Sequence, residues 1–112
     1  MESPVDIRSA MARFDNDKEF FRKMLENFLG YVPEQINTLE ELAKKGDAKA
    51  VEITAHRITG ATGMLGAAKA SSIALDIENK GRDNDLKDIS LLISGLRTEV
   101  VNLKKFSSTM QS

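Results

Sequence analysis

Asp47-Ala48-Lys49-Ala50-Val51-Glu52-Ile53-Thr54-Ala55-His56-Arg57-Ile58-Thr59-Gly60-Ala61-Thr62-Gly63-Met64-Leu65-Gly66 is the stretch on which the fold turns. Its core-type residues Ala48, Val51, Ala55, Ile58, Thr62 and Leu65 recur at spacings of three and four, the period of a helix with one buried face. Asp47 is a good N-cap, and Gly66 suits a helix stop. Inside the pattern lie Gly60 and Gly63, although an interior glycine costs a helix about 1 kcal/mol relative to alanine. The single histidine of the chain, His56, sits about 100° around the helix from the Ala55 stripe, so it projects from the rim of the core. A lone histidine beside residues this small implies that another surface comes close to it.

Working outward, the same helical period recurs on both sides. Upstream, Phe21, Leu25, Phe28, Val32, Ile36, Leu39 and Ala43 form a long stripe that starts after Asp15-Asn16-Asp17 and ends near Lys45, before Gly46. Pro33 falls in its middle and predicts a kink or short break. A shorter helix precedes it, from about Pro4 to Phe14, with Ser3 as cap and Pro4 at the first helical position. Downstream, a turn at Gly66-Ala67 leads to a helix with Ala70, Ile73, Ala74 and Ile77 inward, ending at Gly81. The last helix, capped in Arg82-Asp83-Asn84-Asp85, buries Leu86, Ile89, Ile93, Leu96, Val100, Leu103 and Phe106. Alternating apolar runs are almost absent. The expected fold is all-α: an antiparallel four-helix bundle with a short additional N-terminal helix, one domain over residues 1–112 with a frayed tail from about 107.

Composition narrows the function classes. The chain has 112 residues, 16 Lys plus Arg against 17 Asp plus Glu, and no cysteine. A net charge of −1 gives no basic footprint for nucleic acid. Without cysteine there is neither a disulfide nor a thiolate metal site, and a cytoplasmic setting is expected. No window approaches the roughly 20 apolar residues of a membrane span, and the start lacks a targeting pattern. The glycines at 60, 63 and 66 fit neither a Walker A nor a dinucleotide fingerprint. Asp15-Asn16-Asp17 and Asp83-Asn84-Asp85 lack the glycine and glutamate of a calcium loop. No cofactor or metal is therefore expected.

The face of His56 includes Glu52, Thr59, Gly60 and Gly63, with Ile53 and Met64 flanking it as candidates for an apolar docking patch that Phe28 and Val32 could extend. An imidazole is partly neutral at pH 7 and is a competent nucleophile without an activating base. No second catalytic group stands at a convincing spacing, so transfer of a group between proteins fits better than turnover by an enzyme. If the helices on either side of residues 66–67 form a hairpin, Glu78 lies level with His56 and within reach of its ring.

His56-Arg57-Ile58-Thr59-Gly60, followed by Leu65-Gly66-Ala67, resembles the motif of histidine-containing phosphotransfer (HPt) domains, and the likeness extends from about Phe14 to Phe106. That motif reads histidine, any residue, an aliphatic, lysine, glycine, then a second glycine six residues on. The resemblance implies a phosphocarrier without ATP binding of its own. His56 would accept a phosphoryl group from an aspartyl phosphate on one response-regulator receiver domain and pass it to another. Magnesium would sit on the receiver, and a hybrid sensor kinase belongs among the expected partners. Gly60 and Gly63 would let the receiver close over His56, with Met64, Ile53 and Glu52 around the docking site. Resemblance to the HPt domains of chemotaxis kinases implies that Glu78 orients the ring. Thr59 departs from the motif, since it replaces the lysine that offsets phosphoryl charge, and Arg57 points about 100° away from His56. The departure keeps a second reading open, a helical adaptor that binds a signalling partner without covalent chemistry.

Overall fold

The computed structural model describes residues 3–110, which form five α-helices and no strand. They are α1 (Ile7–Arg13), α2 (Lys18–Lys45), α3 (Ala48–Met64), α4 (Ala68–Arg82) and α5 (Ile89–Thr109). Helices α2 to α5, joined by short turns, make an antiparallel four-helix bundle. Each packs on its two neighbours around the ring, and α3 with α4 is the most extensive pairing. The short α1 rests against α2 at one end. No described helix is long and apolar enough to cross a membrane.

The buried stripes are those the helical period marks. Phe21, Leu25, Phe28, Val32, Ile36 and Leu39 come from α2; Val51, Ala55 and Ile58 from α3; Ala70, Ala74 and Ile77 from α4; Ile93, Leu96, Val100 and Leu103 from α5. Each large side chain so buried contributes about 1.5–3 kcal/mol. Thr62 completes the α3 stripe because its hydroxyl is satisfied within the helix, donating to the Ile58 carbonyl at 2.7 Å. Asp17 and Asp47 cap α2 and α3, accepting from the backbone N–H of Phe20 and Ala50.

Several boundaries differ from the sequence reading, each for a local reason. The first helix starts at Ile7 with Asp6 as its cap, not at Pro4 with Ser3. Val5 is drawn into the core, and the Asp6 N–H is tied to the Gly66 carbonyl at 2.8 Å, which keeps this approach segment out of the helix. Helix α2 passes through Pro33 without a break. The ring removes one bond of the ladder, and the buried Val32 and Ile36 on either side hold the helix to the core. Helix α4 continues through Gly81 to Arg82, and α5 begins at Ile89, not after Asp85. Asn84 and Asp88 both take left-handed backbone in this longer connection, from which Leu86 still packs on the core. At the far end, α5 runs to Thr109 with Ser107 buried, so the helix persists where a frayed tail was expected. Residues 111–112 of that tail lie outside the described residues.

Candidate functional site

His56 stands on the outer face of α3 next to α4. The buried Ala55 before it and Ile58 after it fix the rotation of α3, and this turns the imidazole to the surface with its side chain 74% exposed. Across the groove, Ile77 and Gly81 of α4 are buried and carry Glu78 with them. Its side chain is 7% exposed, and Oε2 lies 3.0 Å from His56 Nδ1. A carboxylate oxygen accepts, so this contact suits a ring that donates through Nδ1, and in the neutral form of that ring Nε2 keeps the lone pair.

Gly81 is what lets the two helices come this close. A Cβ at residue 81 would lie 2.7 Å from both the Ala48 carbonyl oxygen and the Glu52 nitrogen. The backbones thus nearly touch one turn beyond Glu78.

A hollow of about 350 Å³ opens beside the imidazole, bordered by Lys49, Glu52, Ile53, His56 and Arg57 of α3 and by Glu78 and Arg82 of α4. Arg82 donates through Nη2 to Glu78 Oε2 at 3.0 Å and through Nε to Glu52 Oε2 at 3.4 Å. Lys49 Nζ meets Glu52 Oε1 at 3.3 Å. The Glu52 carboxyl is held below its usual value of 4.5, above all by the Lys49 hydrogen bond. Desolvation opposes this, while the Lys49 charge and Arg82 add to it.

The remaining sequence candidates divide. Ile53 is half exposed beside His56. Arg57 is exposed on the rim of the same hollow, nearer the site than its helical angle suggests. Thr59 is outside the hollow, its hydroxyl donating to the Ala55 carbonyl at 2.9 Å. Gly60 faces open space, with nothing within 4 Å of an added Cβ. Gly63 differs: Ser71 Oγ stands 3.6 Å from its Cβ position, and its carbonyl accepts from Arg13 Nη1 at 3.0 Å. Met64 is 54% exposed, but it borders a different hollow with Arg13, Phe14 and Phe20 at the α1 end of the bundle. It is about 12 Å along α3 from His56. Phe28 and Val32 are core and add nothing to the surface. The residues missed from sequence are Arg82 and Lys49. Their only signals were the spacing of four between Glu78 and Arg82, which shares a helix face, and the same kind of step from Lys49 to Ile53.

A family model described as the Hpt domain matches residues 23–106. No curated protein matches the chain. Among solved structures, the chain is similar to histidine-containing phosphotransfer protein B of Pseudomonas aeruginosa PAO1. The TM-score is 0.88 at 20% identity, over 99% of this chain and 97% of that one. At that identity the likeness concerns the fold.

Proposed function

Because the chain belongs to the Hpt domain family, whose members serve in histidine phosphotransfer within phosphorelays, we propose that His56 is its phosphoacceptor and that it shuttles a phosphoryl group between receiver domains. The observation that carries the reading is the 3.0 Å contact between His56 Nδ1 and the buried Glu78 carboxylate. With the Nδ1 proton directed at Glu78, Nε2 presents its lone pair to solvent. It attacks the phosphorus of an aspartyl phosphate on the receiver, the Nε2–P bond forms, and the aspartate oxygen leaves with its electron pair as carboxylate. The ring gains positive charge in this step, and the adjacent Glu78 carboxylate stabilises it. Transfer onward is the same displacement with a second receiver aspartate as nucleophile. Gly60 leaves the surface one turn from His56 low enough for the receiver to approach, and Ile53 offers an apolar contact beside the ring.

The test is to incubate the protein with a phosphorylated receiver domain and look for acid-labile, alkali-stable label. His56→Ala should carry none. An unlabelled wild type across several receivers, or equal label on the variant, sinks the proposal. One observation favours a second reading as a non-covalent adaptor: Thr59 supplies no cation, and its hydroxyl is engaged by Ala55. On that reading Thr59→Lys would leave the protein silent towards every phosphorylated receiver, whereas a phosphocarrier keeps or gains transfer.

A further inference from the structure

Arg82 follows Glu78 by four residues, so both stand on the side of α4 that faces α3. The guanidinium and the imidazole meet on one atom, since Nη2 of Arg82 and Nδ1 of His56 each lie 3.0 Å from Glu78 Oε2. Two further bonds steady the fork, Nη1 to Asn79 Oδ1 at 2.8 Å and Nε to Glu52 Oε2 at 3.4 Å. The last is the longest of the set, and Glu52 has a second partner in Lys49 at 3.3 Å. Arg82 can therefore leave Glu52 without stranding a charge. Its side chain is 53% exposed, which leaves it room to turn.

We propose that Arg82 supplies the positive charge that a motif lysine would supply at Thr59. It exchanges Glu52 for the oxygens of a phosphoryl group on His56 Nε2 while keeping its bond to Glu78. This rests on His56 being the phosphoacceptor. Three cations border the hollow, and Arg82 alone is bonded to the carboxylate that holds the imidazole. Lys49 is 78% exposed and is engaged by Glu52. Arg57 borders the hollow from α3, but the Glu78 carboxylate is bonded by His56 and Arg82 and not by Arg57. A guanidinium also suits the task chemically, because its planar fork can give two parallel N–H bonds to phosphoryl oxygens while a third N–H stays on Glu78.

The experiment avoids dependence on any receiver by loading His56 with phosphoramidate. The P–N bond of the reagent breaks with loss of ammonia as the Nε2–P bond forms. Phosphohistidine is then followed by ³¹P NMR in the wild type, Arg82→Ala, Arg82→Lys, Arg57→Ala and the pair Arg82→Ala with Thr59→Lys. Arg82→Ala should lower the phosphorylated fraction at equilibrium about tenfold, the scale of one charge-assisted hydrogen bond. Arg82→Lys should recover part of it, adding Thr59→Lys to Arg82→Ala should recover most of it, and Arg57→Ala should match the wild type. The imidazole ¹⁵N shifts should keep the Nδ1–H pattern in Arg82→Ala, separating loss of charge from loss of ring orientation. Equal phosphohistidine in Arg82→Ala and wild type, or the same deficit in Arg57→Ala, overturns the assignment. If phosphoramidate loads the wild type and Arg82→Ala shows the deficit while no receiver transfers, the relay reading fails and the Arg82 assignment stands. Failure of the wild type to load from either donor overturns both.

Discussion

Gly60→Ala should make the protein more stable and a poorer phosphocarrier at once. The residue is interior to α3, and a Cβ built on it meets nothing within 4 Å, so the methyl enters open space without strain. The gain is then the difference in helix propensity, about 0.5–1 kcal/mol, which for a chain of this size raises Tm by roughly 2–5 °C. The same methyl stands one turn from His56, on the face that the proposed function gives to a receiver. If the two surfaces meet there, one added carbon overpacks the interface by about 1–3 kcal/mol, or roughly 5- to 150-fold in kcat/KM for transfer. Thermal unfolding followed by circular dichroism reads the first quantity, and phosphoryl transfer from a labelled receiver reads the second. A lower Tm would refute the open environment of residue 60. A higher Tm with unimpaired transfer would refute the idea that this surface is kept bare for a partner.

The other substitutions test the inner contacts. Gly81→Ala pushes a carbon to 2.7 Å from two backbone atoms of α3 that cannot rotate away, so α4 must shift. The expected loss is about 1–3 kcal/mol in urea denaturation, with a changed His56 ¹⁵N spectrum as Glu78 moves; a wild-type midpoint and spectrum would contradict the close approach. Gly66→Ala combines a φ of +73° with a Cβ 3.0 Å from the Asp6 carbonyl oxygen and should cost about 2 kcal/mol, whereas a neutral effect would contradict the turn geometry. Glu52 has its carboxyl lowered in the folded state, so its stabilising contribution is complete above pH 4.5 and disappears as the pH falls through the lowered native value. Glu52→Gln should therefore flatten the acid end of the stability profile and leave the slope near neutrality unaltered. An unchanged acid limb would show that the Lys49 and Arg82 pairings contribute nothing there.

The bundle and the position of His56 were legible from the chain because both follow from period. Residues 48, 51, 55, 58, 62 and 65 must face one way, and that sets the histidine beside the core. The level of Glu78 followed from counting residues about the turn at Gly66. What period could not supply was the role of each glycine, since a missing side chain signals room without saying on which side the room is needed. Gly60 opens to solvent, Gly63 faces Ser71 of α4, Gly66 receives the N-terminal segment at Asp6 and Ala10, and Gly81 receives the backbone of α3. Gly81 resembled a helix stop because position alone does not reveal a neighbouring helix. Arg82 was missed for the same reason, as its link to Glu52 depends on how α3 and α4 slide past each other. The start of α5 was hidden because Asp88 takes a left-handed conformation and makes no side-chain capping bond.

The tie between Asp6 and the Gly66 carbonyl also bears on the order in which the molecule assembles. Helices α3 and α4 are adjacent in sequence and can pair across a tight turn, whereas residue 6 must find residue 66 after most of the chain has been placed. Closing so long a loop is entropically costly and is favoured only once its target has formed. The segment holding Val5, Asp6 and α1 then behaves as a clasp fastened last onto a bundle already built, and it also begins upstream of the matched residues 23–106. Native-state hydrogen exchange should find the Asp6 and Ala10 amides opening at lower free energy than those of Ala55 and Ile58. Equal protection in both places would mean that clasp and bundle form as one cooperative unit.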